Sequence, residues 1–293
     1  MSQSHRPAAV AGMFYPAGAG ALRHELRALL DGADAAQGEV APKLLIVPHA
    51  GYVYSGPVAA QGYGALARWR GRYRRVVLLG PTHRVAVRGI AVPTVAAFDT
   101  PLGAVALDRA AIAAIEALPQ VVRSDVAHAQ EHSLEVQLPF LQAVLERFTL
   151  VPLAVGHVPP AAVAEGIEAL WGGDETLIVV STDLSHYLSY DRARAIDAAT
   201  IERVLRFDPT ITHDEACGAT PLNAALQVAQ RHGLQPRLLD LRNSGDTAGD
   251  RARVVGYAAL AFAPAAGRPE STDDDAAEAN GAGAPGPALL SRA

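Results

Sequence analysis

The sequence has little cysteine and few aromatic residues: one Cys in 293 positions, with Phe, Trp and Tyr together at 5%. A single cysteine excludes a disulfide scaffold and is typical of proteins in a reducing compartment. No apolar run reaches the roughly 18 residues that a membrane-spanning helix needs, and the longest, Val254–Ala263, is typical of a buried strand. Residues 1–10 lack the apolar stretch of a secretion signal. We therefore predict a cytoplasmic protein that does not associate with a membrane.

Positive charge is also in short supply, since 25 basic residues face 30 acidic ones and leave a net charge of −5. Such a chain has no general attraction to phosphate backbones. One basic segment stands out, with five arginines and two aromatic residues at positions 68–75. Because it connects a predicted helix to a predicted strand, we interpret it as a solvated connection and expect no nucleic-acid partner.

The last thirty positions differ in composition from the rest of the chain. Ala, Gly, Pro and acidic residues dominate residues 264–293, and they offer little to bury. This composition predicts a disordered, acidic, low-complexity tail. The remaining residues, 1–263, are predicted to form one folded domain.

Short apolar runs alternate with Ala- and Leu-rich segments throughout residues 1–263. Most runs are continuously apolar, as in strands covered on both faces. The alternation predicts an α/β fold, a single three-layer domain with a mostly parallel central sheet and helices on both faces. Pro57 is expected in the first turn of its helix, and Asp108 and Asp191 are expected as N-caps. The predicted strands are 43–48, 75–80, 150–155, 176–181, 236–241 and 253–263, and the predicted helices lie near 19–31, 57–68, 108–117, 131–147, 160–170, 191–205 and 217–232.

Three of the predicted strands end in a polar cluster that contains a histidine. His49 follows the first strand, His83 follows the second, and Asp183 and His186 follow the strand at 176–181. In open α/β sheets the ligand crevice lies outside the carboxyl ends of the strands. Neutral imidazole is a common metal ligand and general base. The sequence therefore predicts that these loops converge on a metal or acid–base site.

Two other segments carry candidate chemistry. Cys217 precedes an Ala/Leu-rich helix, whose N-terminus would favour the thiolate, although a lone cysteine is also often a small buried apolar residue. His128, Glu131 and His132 form an H-x-x-E-H pattern, which on one helix would suggest a zinc hydrolase with Glu131 as the base. The pattern is short, and Pro139 is expected to kink or end that helix.

Seven motifs in a fixed order give the chain a resemblance to a known family. The sequence resembles the Memo family, the B component of the AmmeMemoRadiSam system of bacteria and archaea, over roughly residues 6–263. The motifs are Arg6–Pro16 (RPAAVAGMFYP), Pro48–Tyr52 (PHAGY) with Ser55–Gly56, Leu79–His83 (LGPTH), Glu131–Glu135 (EHSLE) with Leu138–Pro139, Ser181–His186 (STDLSH), Cys217–Gly218, and Asn243–Asp246 (NSGD) with Gly249–Asp250 and Val254–Tyr257 (VVGY).

The resemblance implies a fold like that of the class III extradiol ring-cleaving dioxygenases, which hold a non-haem Fe(II) at the strand ends. It implies His49, His83 and Cys217 as the metal ligands. His186 would be the acid–base histidine beside the metal, with Asp183 next to it, and His132 would line the same pocket. These three residues are the candidate catalytic residues. Those dioxygenases use two histidines and a carboxylate. A thiolate in the third position favours copper or zinc more strongly, so the dioxygenase activity itself does not carry over.

The resemblance thus leads us to expect a non-haem, metal-dependent oxidoreductase, with Fe(II) as the cofactor and copper or zinc as alternatives. Tyr52, Tyr54 and Asp246 are candidate substrate-binding residues at the pocket rim. The family name implies an AMMECR-type protein and a radical SAM protein as partners. A second hypothesis is a non-catalytic adaptor that binds an anionic peptide in the same pocket with the help of Arg84.

Overall fold

The computed structural model describes residues 4–33 and 38–265, and within them the chain alternates between strands and helices. The strands are β1 (His5–Arg6), β2 (Leu44–Val47), β3 (Arg75–Pro81), β4 (Ile90–Val92), β5 (Ala97–Thr100), β6 (Gly103–Ala106), β7 (Val121–Arg123), β8 (Thr149–Val155), β9 (Thr176–Ser181), β10 (His186–Leu188), β11 (Leu234–Asn243) and β12 (Val254–Pro264). The helices are α1 (Ala19–Asp31), α2 (Tyr52–Gly64), α3 (Arg109–Ile115), α4 (Asp125–Ala129), α5 (His132–Glu135), α6 (Leu138–Val144), α7 (Pro160–Ala169), α8 (Tyr190–Leu205), α9 (Ala219–Arg231) and α10 (Ser244–Thr247).

A large twisted sheet forms the centre of the molecule. Its middle is four parallel strands in the order β2-β9-β3-β8. Their side chains are almost all buried, which explains why these segments are continuously apolar. Antiparallel β12 pairs with β2 and antiparallel β4 pairs with β8, while β7 extends the far side and β10 and β11 both pair with β12. The predicted α/β class with a mostly parallel sheet is confirmed.

Helices cover both faces of this sheet. Successive residues of β12 contact different helices, which shows that those helices lie on opposite faces. Tyr257 and Ala259 pack with Val58 of α2. Gly256, on the opposite face, approaches Asp197 of α8, and Phe262 packs against Phe207 just beyond α8. Because successive side chains of a strand point to opposite faces, α2 and α8 lie on opposite sides of the sheet.

Most predicted elements are present, and their differences in length have local causes. Asp108 caps α3 as expected, accepting a hydrogen bond from the Ala111 N–H at 2.9 Å. The prediction for Asp191 is wrong, because α8 begins after Ser189. Pro57 lies inside α2 rather than in its first turn, since packing against α1 and β12 outweighs one missing backbone hydrogen bond.

The predicted helix over 131–147 is two helices, α5 and α6. Glu131 is the N-cap of α5, and Pro139 lies in the first turn of α6, where its missing N–H costs nothing.

Sequence reasoning missed a separate three-stranded sheet in the order β1-β5-β6. Its strands are only two to four residues long, too short for a periodic pattern to register.

The last strand, β12, continues to Pro264, one residue past the predicted domain end at residue 263. The rest of the predicted tail, beyond residue 265, lies outside the described residues. Among residues 4–33 and 38–265, no helix is long and apolar enough to cross a membrane.

A close approach between α2 and β2 supplies a test of this packing. A Cβ added to Gly62 would lie 2.6 Å from Val47 Cγ1, and crowding of a tight core costs about 1–3 kcal/mol. We expect Gly62→Ala to lower the free energy of unfolding by that amount in urea titrations. Gly20→Ala in α1 is the matched control, because nothing lies within 4 Å of the added carbon. This control should gain about 0.5–1 kcal/mol, and equal behaviour of the two variants would contradict the packing.

Candidate metal centre

Loops from three neighbouring parallel strands meet at one edge of the sheet. His49 lies two residues beyond β2, His83 two residues beyond β3, and Asp183 two residues beyond β9. Since β9 pairs with both β2 and β3 in parallel, all three carboxyl ends lie on the same edge. The predicted convergence of the strand-end loops at His49 and His83 is therefore present, with ring centroids 5.2 Å apart.

A third histidine completes a compact cluster. His132, the first residue of α5, stacks on His83 with centroids 4.5 Å apart and lies 5.4 Å from His49. One ring nitrogen from each of His49, His83 and His132 lies within 4.8 Å of the others, a spacing at which one metal ion can bind all three. The family resemblance gave His132 as a catalytic candidate that lines the pocket, and the structure brings its ring into the cluster itself.

His49 is the buried member, with 2% of its surface exposed. Its backbone N–H donates to Asp183 Oδ1 at 2.7 Å, and its Nδ1 lies 2.9 Å from Ser181 Oγ. Burial, followed by the neighbouring His83, lowers the pKa of His49 from 6.5 to about 3. The ring is therefore neutral at pH 7, the form that binds metals.

His83 is the open member, with a side chain 29% exposed, and it is held by Glu131. The Glu131 carboxylate accepts the His83 backbone N–H at 2.5 Å and lies 2.9 Å from Nδ1. Burial raises the pKa of Glu131, but hydrogen bonds from His83 outweigh it and lower the value to about 2. Glu131 is thus a carboxylate at pH 7 that accepts the Nδ1 hydrogen of His83. This leaves Nε2 free for a metal, as in carboxylate–histidine–metal triads.

His132 is mostly buried and lies against Phe14, whose ring centroid is 4.8 Å from that of His132. Burial, followed by the neighbouring His49, lowers the pKa of His132 to about 4. Its Nδ1 lies 3.4 Å from Glu131 Oε1. Glu131 therefore contacts two of the three clustered histidines.

The cysteine also lies beside the cluster. Cys217 Sγ is 3.3 Å from His49 Nε2, and its backbone N–H donates to the Asp183 carbonyl. Gly218 fits beneath Thr182, where an added Cβ would lie 2.7 Å from the Thr182 side chain. Of the two interpretations that the sequence left open for Cys217, an unreactive thiol agrees better with its surroundings than a thiolate favoured by the following helix. Burial, followed by the charge of Asp183, raises the pKa of Cys217 to about 12. Without a metal, Cys217 is a neutral thiol.

The predicted pairing of Asp183 with His186 takes a different form. Asp183 is buried, burial raises its pKa, and it accepts the backbone N–H of His49 rather than a hydrogen bond from His186. His186 begins β10 and packs edge-on against Tyr187, and its side chain makes no hydrogen bond or ion pair with any described residue. Its positive charge would lower the pKa of both His49 and Asp183, so it lies within electrostatic range of the cluster.

The three predicted rim residues have different surroundings. Tyr52 is not at a rim: it is buried in the core and its hydroxyl donates to the Val136 carbonyl at 2.7 Å. Tyr54, in the first turn of α2, is 42% exposed. Asp246 forms the capping box of α10 with Asn243 and accepts a hydrogen bond from the Tyr190 hydroxyl, which gives it a structural role.

The zinc-hydrolase pattern does not form on one helix. His128 lies in the last turn of α4, whereas Glu131 is the N-cap of the next helix, α5. His128 is buried against Phe98, and its Nε2 contacts the Ala91 carbonyl at 3.0 Å. Within the described part of the chain, the metal-spaced cluster contains His132 but not His128.

A buried ion pair near the N-terminus, which sequence reasoning missed, holds the segment that carries Glu131 and His132. Arg6 donates to the Glu135 carboxylate at 2.5 Å and to the carbonyls of His128 and Glu131. Glu135 also accepts hydrogen bonds from the N–H groups of Ala9 and Val10 and from the Tyr15 hydroxyl. The available signal was the charged Arg6 in an otherwise apolar motif.

This arrangement can now be compared with known proteins. A family model for Memo-like proteins matches residues 6–261. The chain belongs to the Memo-like family. Among curated MEMO1 family proteins, one from Ignicoccus hospitalis is 37% identical over 287 residues, covering 88% of this chain and 98% of the relative. One from Aquifex aeolicus is 36% identical over 270 residues, with the same coverage.

A solved structure shares the fold of this Memo-like protein at low sequence identity. The crystal structure of uncharacterized protein JW3007 from Escherichia coli K12 superposes with a TM-score of 0.51 at 13% identity, covering 74% of this chain and 98% of that one. The similarity confirms the fold, and at this identity it carries no statement about activity.

The first prediction from the site concerns the Arg6–Glu135 pair. Glu135→Gln leaves the buried Arg6 charge without its carboxylate, and breaking such a pair costs about 3–5 kcal/mol. We expect a corresponding loss in the free energy of unfolding, measured by urea titration. Glu202→Gln is the control, because the Glu202–Arg206 pair is mostly exposed and should contribute almost nothing measurable. A Glu135→Gln protein as stable as the wild type would refute this role.

The second prediction concerns pH in the metal-free protein. Burial lowers the pKa of His49 to about 3 and the pKa of His132 to about 4, whereas an unfolded histidine titrates near pH 6.5. Between about pH 4 and 6.5 the unfolded chain therefore binds more protons, so stability falls as the pH drops through this window and is complete above it. Each histidine contributes up to about 1.4 kcal/mol per pH unit.

Asp197 acts in the opposite direction, because burial raises its pKa to about 6. The histidine effect is therefore isolated by comparing variants in urea titrations at pH 7.5 and 5. His132→Asn removes one depressed histidine and should lose less stability on acidification than the wild type. His24→Asn, at an exposed position of α1, should match the wild type. Equal losses in all three proteins would rule out the proposed titration.

Proposed function

We propose that this Memo-like protein binds a divalent transition metal at the strand-end cluster and acts as a non-haem, metal-dependent oxidoreductase. Fe(II) is the ion we expect, with copper or zinc as alternatives. The observation that supports metal binding most directly is the convergence of one ring nitrogen each from His49, His83 and His132 within 4.8 Å. Imidazole ligands suit iron, copper, zinc and nickel rather than calcium or magnesium.

The three histidine rings suit such an ion in their protonation state as well as in the spacing of their nitrogens. Two of the three rings have a strongly lowered pKa and are neutral at pH 7, so no proton must leave them before metal binding. His83 is fixed by the Glu131 carboxylate, which holds the hydrogen on Nδ1 and raises the basicity of the other nitrogen. The exposed edge of His83 leaves one side of the cluster open to a substrate.

We propose Cys217 as the third ligand beside His49 and His83, as the family resemblance implies, with His132 next to it in the pocket. Its sulfur already lies 3.3 Å from His49 Nε2. A bound divalent cation deprotonates a coordinating thiol outright, which would offset the raised pKa of Cys217. His132 is the competing third ligand, because its ring nitrogen lies in the metal-spaced cluster.

A bound redox-active ion would supply electron transfer and Lewis acidity at this edge of the sheet. The chain's own residues bind and orient: Glu131 holds His83, and Asp183 holds the His49 backbone. We assign His186 the task of carrying protons to or from a substrate, since its side chain has no hydrogen-bond partner among the described residues.

The anion-binding adaptor is the weaker candidate. His49 and His132 are uncharged at pH 7 because their pKa values are lowered to about 3 and 4, so these rings offer an anion no charge. An anionic peptide would depend on Arg84, an exposed residue beside His83. Association with AMMECR-type and radical SAM proteins, and a cytoplasmic location, stay predictions from the sequence.

Elemental analysis of the protein purified anaerobically without a histidine tag tests the proposal. We expect stoichiometric iron in the wild type and background levels in His49→Ala and His83→Ala. Cys217→Ser should abolish binding while His132→Ala weakens it, and the reverse order would make His132 the third ligand. His24→Ala, at an exposed histidine away from the cluster, should retain the metal. A wild-type protein that is metal-free and does not bind added Fe(II), Cu(II) or Zn(II) would refute the function.

A further inference from the structure

Behind His49, a fully buried chain of polar side chains leads away from the cluster into the core. Ser181 Oγ lies 2.9 Å from His49 Nδ1, and Gln137 Nε2 lies 2.8 Å from the same Ser181 oxygen. The Tyr63 hydroxyl contacts Gln137 Oε1 at 2.8 Å. The side chains of Ser181, Gln137 and Tyr63 are each at most 1% exposed. This Tyr63–Gln137–Ser181 chain has no part in the function proposed above.

The direction of every hydrogen bond in this chain follows from two backbone carbonyls, which can only accept. The Gln137 atom 2.9 Å from the Pro48 carbonyl must be the amide nitrogen, so Gln137 also donates to Ser181. Ser181 Oγ lies 2.6 Å from the Ser133 carbonyl, so the single hydroxyl hydrogen of Ser181 is used there. Ser181 therefore has no hydrogen left to donate to His49.

We infer that the Tyr63–Gln137–Ser181 chain fixes the tautomer of His49. Since Ser181 can only accept, His49 must carry its hydrogen on Nδ1, and its lone pair lies on Nε2. Nε2 is the nitrogen that faces the cluster, 3.3 Å from Cys217 Sγ and 4.0 Å from Asp183 Oδ2. Ser181 is thus a positioning residue that acts on the metal through His49.

The opposite tautomer would be costly in this environment. In that tautomer the lone pair of His49 Nδ1 would face the Ser181 oxygen, whose hydrogen is already donated to the Ser133 carbonyl. Two buried acceptors would then lie against each other with no hydrogen to form a bond. Cys217 is compatible with the assignment, because its thiol hydrogen can be donated to a lone pair on His49 Nε2 at 3.3 Å or to the Asp183 carbonyl at 3.7 Å. His83 reaches the same state through a charged carboxylate, whereas His49 reaches it through a neutral serine, which adds no negative charge to the buried side of the site.

The inference is tested first without any substitution. Long-range ¹H–¹⁵N NMR spectra of metal-free protein labelled at histidine distinguish a protonated from an unprotonated ring nitrogen. We expect the wild-type His49 signals to report a protonated Nδ1 and an unprotonated Nε2 at pH 7.5. A protonated Nε2 would overturn the inference. This NMR measurement needs no metal, so its result is independent of whether the protein binds one. Only the relevance of the tautomer to metal binding rests on the proposed function.

Two serine variants then separate a positioning role from a structural one. Ser181→Ala removes the acceptor and should give a mixture of His49 tautomers, together with a 10- to 100-fold weaker Zn(II) affinity by competition titration. Ser133→Ala is the matched control: it is equally buried and loses its own hydroxyl bond to the Pro81 carbonyl, but it keeps the backbone carbonyl that binds Ser181. It should retain the wild-type tautomer and affinity. An unchanged tautomer in Ser181→Ala, or an equal loss of affinity in both variants, would overturn the role of Ser181.

Discussion

Three imidazoles with ring nitrogens within 4.8 Å of one another impose the central constraint on this molecule. Buried rings at this spacing cannot all be protonated, and burial holds the pKa of His49 and His132 far below the ordinary value. A neutral imidazole has one N–H and one lone pair, so each buried ring needs an acceptor for its hydrogen. The protein supplies those acceptors on the side away from the cluster, through Ser181 and Glu131. This leaves His49 and His83 each with a lone pair on Nε2, which a bound cation would stabilise.

Two different parts of the fold hold the cluster residues in place. The parallel strands β2, β9 and β3 bring His49, Asp183 and His83 to one edge, where their backbones are fixed by the sheet. The segment with Glu131 and His132 has no such strand behind it, and α5 is only four residues long. It is held instead by the buried Arg6–Glu135 pair, whose arginine binds carbonyls on either side of the turn. A short helix in this position would otherwise have little to keep it in place.

For Cys217, closeness to the histidine cluster and the reactivity of its thiol are two different properties. Its place near a helix start suggests a reactive thiolate, but burial beside the Asp183 carboxylate raises its pKa instead. The same position brings the sulfur to His49 Nε2. A thiol that is protonated in the metal-free protein and loses its proton on binding a cation is therefore compatible with the proposed site.

The sequence by itself determined the α/β class, most of the strands and helices, and the meeting of His49 and His83. The hydrophobic pattern that marks each strand is a local property, and the carboxyl ends of parallel strands lie on one edge of a sheet. The family motifs added His132 and Cys217 to the same pocket. Only the tertiary structure decided that His128 turns away from the cluster, that Tyr52 is a core residue, and that Glu135, Gln137 and Ser181 support the site. These outcomes depend on hydrogen bonds between residues 37 to 132 positions apart. No pattern along the chain encodes which buried donor meets which acceptor until the chain has folded.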